Sequence, residues 1–379
     1  MGVFRLLLAL AVVVAHVSPP VGLRLLGMVS GSLAVQIFYV ISGFYMAMVL
    51  RRKYVGKGAH VAFLKNRVLR LHPMFLVVLL ATLVLGGLLE LVAGRAIEPL
   101  AYWLDQREPM SLGSALFFGI SNLTIVGQDL VSFTAVDPDS GRLYLTADFH
   151  REPLPGWCFL FVPQAWTVGV ELMFYAVAPF IVRRRASVVA SLMAASLLLR
   201  VYIMRRWQLF DDPWTYRFFP TELALFLAGA LSFRLYERGA ALLHRQRRSA
   251  LCVTLGAVAL VLAYERLPVA VREPRYGLSA VLLLIPLVIP WIFAATHQSR
   301  VDRMLGELSY PVYIIHYPLT FVLHALGSAW VEANFGFVTV VLTMVLAYAL
   351  FRFVGEPIER MRSRIGRSLS SSSPSPSPS

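Results

Sequence analysis

Residues 3–22 read VFRLLLALAVVVAHVSPPVG, and the fold turns on whether this apolar run is kept or cut away. A secretory signal has a basic leader, a short apolar core and a small-residue cleavage site. Here the leader's only basic residue is Arg5, and the apolar segment carries His16 ahead of Pro19 and Pro20. The run therefore reads as a retained membrane helix. Ten residues separate Arg5 from His16, and eleven steps of 100° return to nearly the same azimuth. The two side chains thus share one helical face, about 16 Å apart along the axis. Ionisable groups inside a bilayer are expensive and by default functional. The competing reading makes Arg5 a topology anchor that snorkels to the headgroups.

Similar runs recur to the end of the chain. Of 379 residues, 58% are hydrophobic and 15% charged, and about 20 apolar residues suffice to cross a hydrocarbon core. The pattern predicts an all-α integral membrane protein with about ten transmembrane helices, near 3–22, 30–50, 71–93, 162–182, 187–204, 217–235, 250–265, 275–296, 307–329 and 335–354. The net charge of +14 is distributed as membrane topology requires rather than as a nucleic-acid surface. With the N-terminus inside, Arg51 to Arg70, Arg183 to Arg185, Arg234 to Arg248, Arg300 with Arg303 and Arg360 to Arg367 all fall on the cytoplasmic side, and both termini are cytoplasmic. The apolar stretch Leu112 to Val126 would break this pattern if it crossed. It is expected to be a re-entrant or interfacial segment between the third and fourth spans.

Residues 1–360 form the transmembrane domain. Residues 361–379, basic and then almost wholly Ser and Pro, are expected to be a disordered cytoplasmic tail. The connection 94–161, with turn clusters at Asp137–Gly141 and Pro153–Gly156, either helps recognise an outside substrate or is a solvated loop. Cys158 and Cys252 fall at opposite membrane faces and are not expected to pair. No metal-ligand spacing, phosphate loop, nucleophile elbow or dinucleotide fingerprint is present, so chemistry falls to residues within the bundle.

Several such residues stand out. Glu171, in PQAWTVGVELMFY with Trp166, lies mid-span, where a carboxylate needs a partner, a proton or water. His316, in LGELSYPVYIIHYPL, follows Tyr310 and Tyr313 on preceding turns, and is either a satisfied core histidine or a catalyst. Ser42 and Gly43, in FYVISGFYMAMVL, make a small patch suited to close helix packing. Arg67 and Arg70, in KNRVLRLHP, are neighbours on one helical face at a membrane entrance, suited to phosphate oxygens or to anionic lipid.

Arg5 and His16, FYVISGF, Arg67 with Arg70, AWTVGVELMFYAVAP and LGELSYPVYIIHYP occur in the order seen in the membrane-bound acyltransferase family three, which most of residues 1–360 resembles. Two departures are visible. His72 stands where many members have an aromatic residue, and the chain opens almost at Arg5, without a preceding cytoplasmic segment. The resemblance implies an O-acyltransferase. It would take an acyl group, commonly acetyl, from cytoplasmic acyl-coenzyme A, with no tightly bound cofactor, and pass it to a hydroxyl of an extracytoplasmic saccharide or glycolipid. On that reading Arg67, Arg70 and Lys65 hold the donor's phosphates and Arg5 continues the path toward His16. His16 acts as general base or transient acyl carrier. Glu171 orients that imidazole or holds a cation, and His316 assists proton transfer or binds acceptor. Ser42, Trp166, Tyr310 and Tyr313 complete the substrate-binding set. The tail and the lack of eukaryotic targeting signals suit a bacterial inner membrane, where membrane lipids are the other partners. A proton-coupled exporter or flippase is the alternative, disfavoured because the two halves show no convincing repeat.

Overall fold

The computed structural model describes residues 1–17, 27–56, 58–107, 109–210, 212–272 and 280–362. The expected tail beyond Arg362 and the ends of two expected spans, 18–22 and 275–279, lie outside the described residues. Helices dominate. They are α1 (Gly2–His16), α2 (Gly31–Arg52), α3 (Ala59–Ala93), α4 (Glu98–Asp105), α5 (Leu112–Thr124) and α6 (Gln128–Val131), followed by α7 (Trp166–Ile181), α8 (Ala186–Trp207), α9 (Phe219–Arg245) and α10 (Arg247–Ala263). After the short α11 (Val269–Arg272) come α12 (Ala280–Thr296), α13 (Arg300–Leu326), the short α14 (Ala329–Ala333) and α15 (Phe335–Leu350). A π-turn, Phe351–Gly355, follows α15, and helix resumes to Arg362.

Each of the ten predicted segments contains a helix, and six helices among the described residues are long and apolar enough to cross a membrane. Their ends follow local chemistry. Ser30, Ser111 and Ser299 cap α2, α5 and α13 by accepting from the backbone amide three residues on. Gly94 and Gly327 close α3 and α13 at φ +61° and +58°, which a side chain rarely tolerates. The stretch in doubt, α5, has 13 residues, about 20 Å at 1.5 Å per residue and short of a hydrocarbon core of about 30 Å. His72 Nε2 meets the Leu123 carbonyl at 2.9 Å and so ties the end of α5 to α3.

Two parallel helix pairs organise the bundle. In α2 and α9, a Cβ on Gly43 would lie 1.9 Å from the Phe226 carbonyl oxygen, and one on Gly229 would lie 1.9 Å from that of Val40. Only glycine lets the backbones approach this closely. In α1 and α13, Gly2 sits on the Asp302 carbonyl and on Gly306, and the Asp302 carboxylate accepts from the amides of Gly2 and Val3 at 2.8 and 2.9 Å. The far end of α1 brings His16 beside His316 and Tyr317, in the second half of α13.

The two ends of the bundle differ. One is basic, and its arginines also serve as helix caps: Arg183 donates to the carbonyls of Leu50 and Tyr54, and Arg234 to those of Val182 and Arg184. The other carries residues 94–107 and 109–161, including a two-stranded antiparallel hairpin, β1 (Thr134–Val136) with β2 (Leu143–Leu145), over a small core of Phe118, Val131, Val136, Leu154, Phe159 and Leu160. Cys158 and Cys252 are both free thiols.

One buried ion pair escaped sequence reading. Arg200 of α8 meets Glu222 of α9 with side chains 1% and 0% exposed, and Gln36 of α2 donates to the same carboxylate at 3.4 Å. Both are charged residues inside apolar runs, the same signal that singled out Glu171.

Candidate active site

A cavity of about 470 Å³ reaches into the bundle from the basic end, within the range of small-molecule sites. Arg5, Arg67 and Arg70 line it together with Ser42, Glu171, Tyr310 and Tyr313. Seven of the sequence-selected residues, from α1, α2, α3, α7 and α13, therefore face one space. His16, His316 and Trp166 do not line it and lie toward the loop end.

Arg5 is set by the contact of Gly2 with Gly306: a Cβ on Gly306 would lie 3.7 Å from its Nη1. Arg67 is buried and donates through Nη2 to Asn66 Oδ1 at 3.1 Å, while its Nε has no hydrogen-bond partner. Arg70 faces both oxygens of Glu307 at 3.5 Å, long for a charge-assisted pair. Tyr310 donates to the Leu71 carbonyl at 2.9 Å, locking α13 onto α3. The mouth thus gathers three guanidiniums, of which Arg70 is paired with Glu307 and Arg67 with a neutral amide.

In the middle of the cavity Glu171 Oε1 accepts from Ser42 Oγ and from the Tyr175 hydroxyl, each at 2.5 Å. Its hydrogen bonds come from these two hydroxyls, not from an imidazole as one reading of the sequence expected. Ser42 and Gly43, read together as a packing patch, divide the work, with Gly43 against α9 and Ser42 on the carboxylate.

At the inner limit of the cavity sits Tyr313, held by residues that sequence reading passed over. Its hydroxyl donates to the Gln164 carbonyl at 3.0 Å and accepts from Thr167 at 2.9 Å. Gln164 Nε2 donates to the Ile314 carbonyl at 2.7 Å. Proline explains that last bond. Pro318 has no N–H, so the carbonyl four residues earlier, Ile314, loses its helical donor and must find another. The sequence signal was the spacing from Ile314 to Pro318; the donor itself lies 150 residues away.

Beyond Tyr313 the two histidines meet. His316 is fully buried, His16 is exposed, and their ring centroids are 5.2 Å apart. His16 Nδ1 lies 2.8 Å from the Val12 carbonyl, and His316 Nδ1 lies 2.7 Å from that of Tyr313. A carbonyl only accepts, so each Nδ1 carries a proton, and in the neutral form of either ring Nε2 is the free acceptor. His316 Nε2 is buried without a hydrogen-bond partner.

Trp166 belongs to a neighbouring cluster. The Arg217 guanidinium lies 4.4 Å from its ring centroid, pairs with both oxygens of Asp212 at 2.7 and 2.8 Å, and reaches Ser132 of the loop region at 3.3 Å.

Bundle and cavity define an integral membrane protein with a largely apolar pocket, set with a few polar and charged side chains, running from a basic mouth toward a histidine pair. The sequence profile of acyltransferase family three, described as an acyltransferase domain, matches residues 1–352, and the chain belongs to that family. It is a membrane acyltransferase. Over 338 residues, 87% of this chain and 90% of the other, it is 24% identical to the exopolysaccharide production protein ExoZ of Rhizobium meliloti strain 1021. No solved structure matches significantly.

Proposed function

We propose that the protein transfers an acyl group, acetyl first among them, from acyl-coenzyme A to a hydroxyl of a saccharide or glycolipid on the far side of the membrane. The observation that carries this reading is one cavity with Arg5, Arg67 and Arg70 at its mouth and Tyr313 at its inner limit, where the Tyr313 carbonyl holds His316 against His16. The basic end faces the cytoplasm, since excess Arg and Lys favour that side, and the membrane is a bacterial inner membrane crossed about ten times. The relative's role in exopolysaccharide production supports a saccharide acceptor.

In this mechanism Arg67 and Arg70 bind the donor's phosphates as charge-assisted forks. Ser42 and Glu171 offer hydrogen bonds along the cavity to the amide-containing pantetheine arm. The acceptor enters at the loop end, where His16 is exposed. His16 Nε2 takes the proton of the acceptor hydroxyl as that oxygen attacks the thioester carbonyl. The new C–O bond forms, the C–S bond breaks, and the departing thiolate takes up the proton, releasing free coenzyme A. His316, with its bare Nε2 beside the His16 ring, relays that proton. Trp166 and Arg217 form part of the wall that positions the acceptor.

The test is release of free coenzyme A from acetyl-coenzyme A by the purified protein in liposomes supplied with a saccharide acceptor, wild type beside His16→Ala. Release and acceptor labelling should be lost in the variant while donor binding persists. Normal transfer by a folded His16→Ala protein would remove His16 from the mechanism.

A further inference from the structure

A second cavity, of about 320 Å³, lies on the other side of Arg70 and Glu307, which line both spaces. Its remaining wall comes from Met74 of α3 and from the segment after α15, including Phe351, Ile358 and Arg362. Most of that segment falls beyond residue 352, outside the region the family profile matches.

Arg362, the last described residue of the helix, is 6% exposed. Its Nη2 and Nε reach Asn66 Oδ1 at 2.7 and 3.3 Å, its Nε also meets the Asn66 carbonyl at 3.2 Å, and its Nη1 pairs with Glu359. The same Asn66 Oδ1 accepts from Arg67. Two guanidiniums far apart in the chain therefore converge on one neutral amide oxygen, next to a third, Arg70, whose contacts with the Glu307 carboxylate are 3.5 Å long. Arg5, Arg67, Arg70 and Arg362 all act electrostatically on Glu307. Glu356, on the same wall, pairs with Arg352 and Arg360, and Glu359 is more than half exposed; with Arg5 and Arg67 counted, the guanidiniums gathered where the two cavities meet outnumber these carboxylates. Buried guanidiniums with too few anions need another negatively charged group, and the planar fork suits phosphate oxygens.

Resting on the reading of the donor as acyl-coenzyme A, we propose that the second cavity seats the donor's phosphorylated nucleotide end and that Arg362 is a phosphate-binding residue there. The first cavity then takes the pantetheine arm, and the loose Arg70–Glu307 contact is the wall between them. The donor's phosphate draws Arg70 away from Glu307 and joins the two spaces into one path. Arg362 supplies the charge from the nucleotide's side that Arg67 and Arg70 supply from the arm's side.

The experiment compares two donors in nanodiscs: acetyl-coenzyme A, and acetyl-4′-phosphopantetheine, which lacks the nucleotide. Binding and KM are measured for wild type, Arg362→Ala, and Ile358→Trp, which fills the second cavity without removing any charge. Both variants should weaken acetyl-coenzyme A by about tenfold to a hundredfold, the range expected for hydrogen bonds to a charged group, and leave acetyl-4′-phosphopantetheine unchanged. Equal effects on both donors, or no effect on either, overturn the proposal. So does a loss that follows the anionic lipid content of the nanodisc instead of the donor's nucleotide, which would make the cavity a headgroup site. A wild type that binds neither donor would refute the donor reading itself, a separate failure. Arg362→Lys, which keeps the charge but not the fork, should recover part of the lost affinity only if a phosphate is bound there.

Discussion

Replacing Gln164 with Leu removes the donor that serves the Ile314 carbonyl, and the structure sets the size of the loss. That carbonyl lacks a helical partner because residue 318 is proline, and it receives 2.7 Å from Gln164 Nε2 instead. A buried acceptor left unsatisfied costs about 1–3 kcal/mol, whereas hydrogen bonds between membrane helices average about 0.6 kcal/mol. Gln164→Leu should therefore destabilise the protein by about 1–2 kcal/mol. The same change loosens the Tyr313 and His316 turn, so the saturated transfer rate should fall while the dependence on donor stays nearly the same. Pro318→Ala supplies the decisive control. It restores an N–H that can bond to Ile314 within the helix, making Gln164 redundant at that carbonyl. In a double-mutant cycle read by reversible unfolding in detergent, Gln164→Leu should then cost markedly less in the Pro318→Ala background, with a coupling of about 1 kcal/mol. Strictly additive costs would refute the reasoning, because they would mean that the amide and the missing N–H do not serve the same carbonyl.

Three further outcomes are expected. Gly229→Leu places a side chain where a Cβ already meets the Val40 carbonyl at 1.9 Å; it should force α2 and α9 apart and destabilise by about 1–3 kcal/mol or more, and a wild-type melting temperature would show that the contact is not tight. Arg67→Ala combined with Arg70→Ala should raise the donor concentration needed for half-maximal rate more than it lowers the saturated rate, and an unchanged donor dependence would remove these forks from the donor site. In the loop region, the hydroxyls of Thr146 and Tyr144 hold the Glu152 carboxyl below its ordinary range. A depressed folded value means that the stabilisation is present above the ordinary glutamate pKa of about 4.3 and is lost as pH falls through the folded value. Amide-exchange protection of the hairpin should therefore weaken on acidification in wild type and show less pH dependence in Glu152→Gln.

Much of this architecture is written in single residues of the chain. Apolar runs locate every long helix, because burial in lipid demands length and composition that a reader can count. Arg5 and Glu171 stand out because charged groups inside such runs are costly, and both line one cavity. What stays hidden is pairing. Nothing near Pro318 announces Gln164, nothing near Arg200 announces Glu222, and nothing near Arg67 announces Arg362; each partnership joins helices whose adjacency is set by packing. The hairpin of β1 and β2 escaped for another reason. Its strands have three residues each, too few for an alternating pattern to emerge.

The π-turn at Phe351–Gly355 carries a consequence for how this protein tolerates insertion and deletion. Such a turn holds one residue more than regular helix, and each residue added or removed rotates everything downstream by about 100°. Arg362 meets Asn66 because the phase after the turn is correct. Removing a single residue between Phe351 and Gly355 would keep every side chain that touches the cavity on its helix and still swing that arginine away from α3. The placement of this charge is fixed by counting, so a change in length here does damage that no catalogue of side-chain substitutions would disclose.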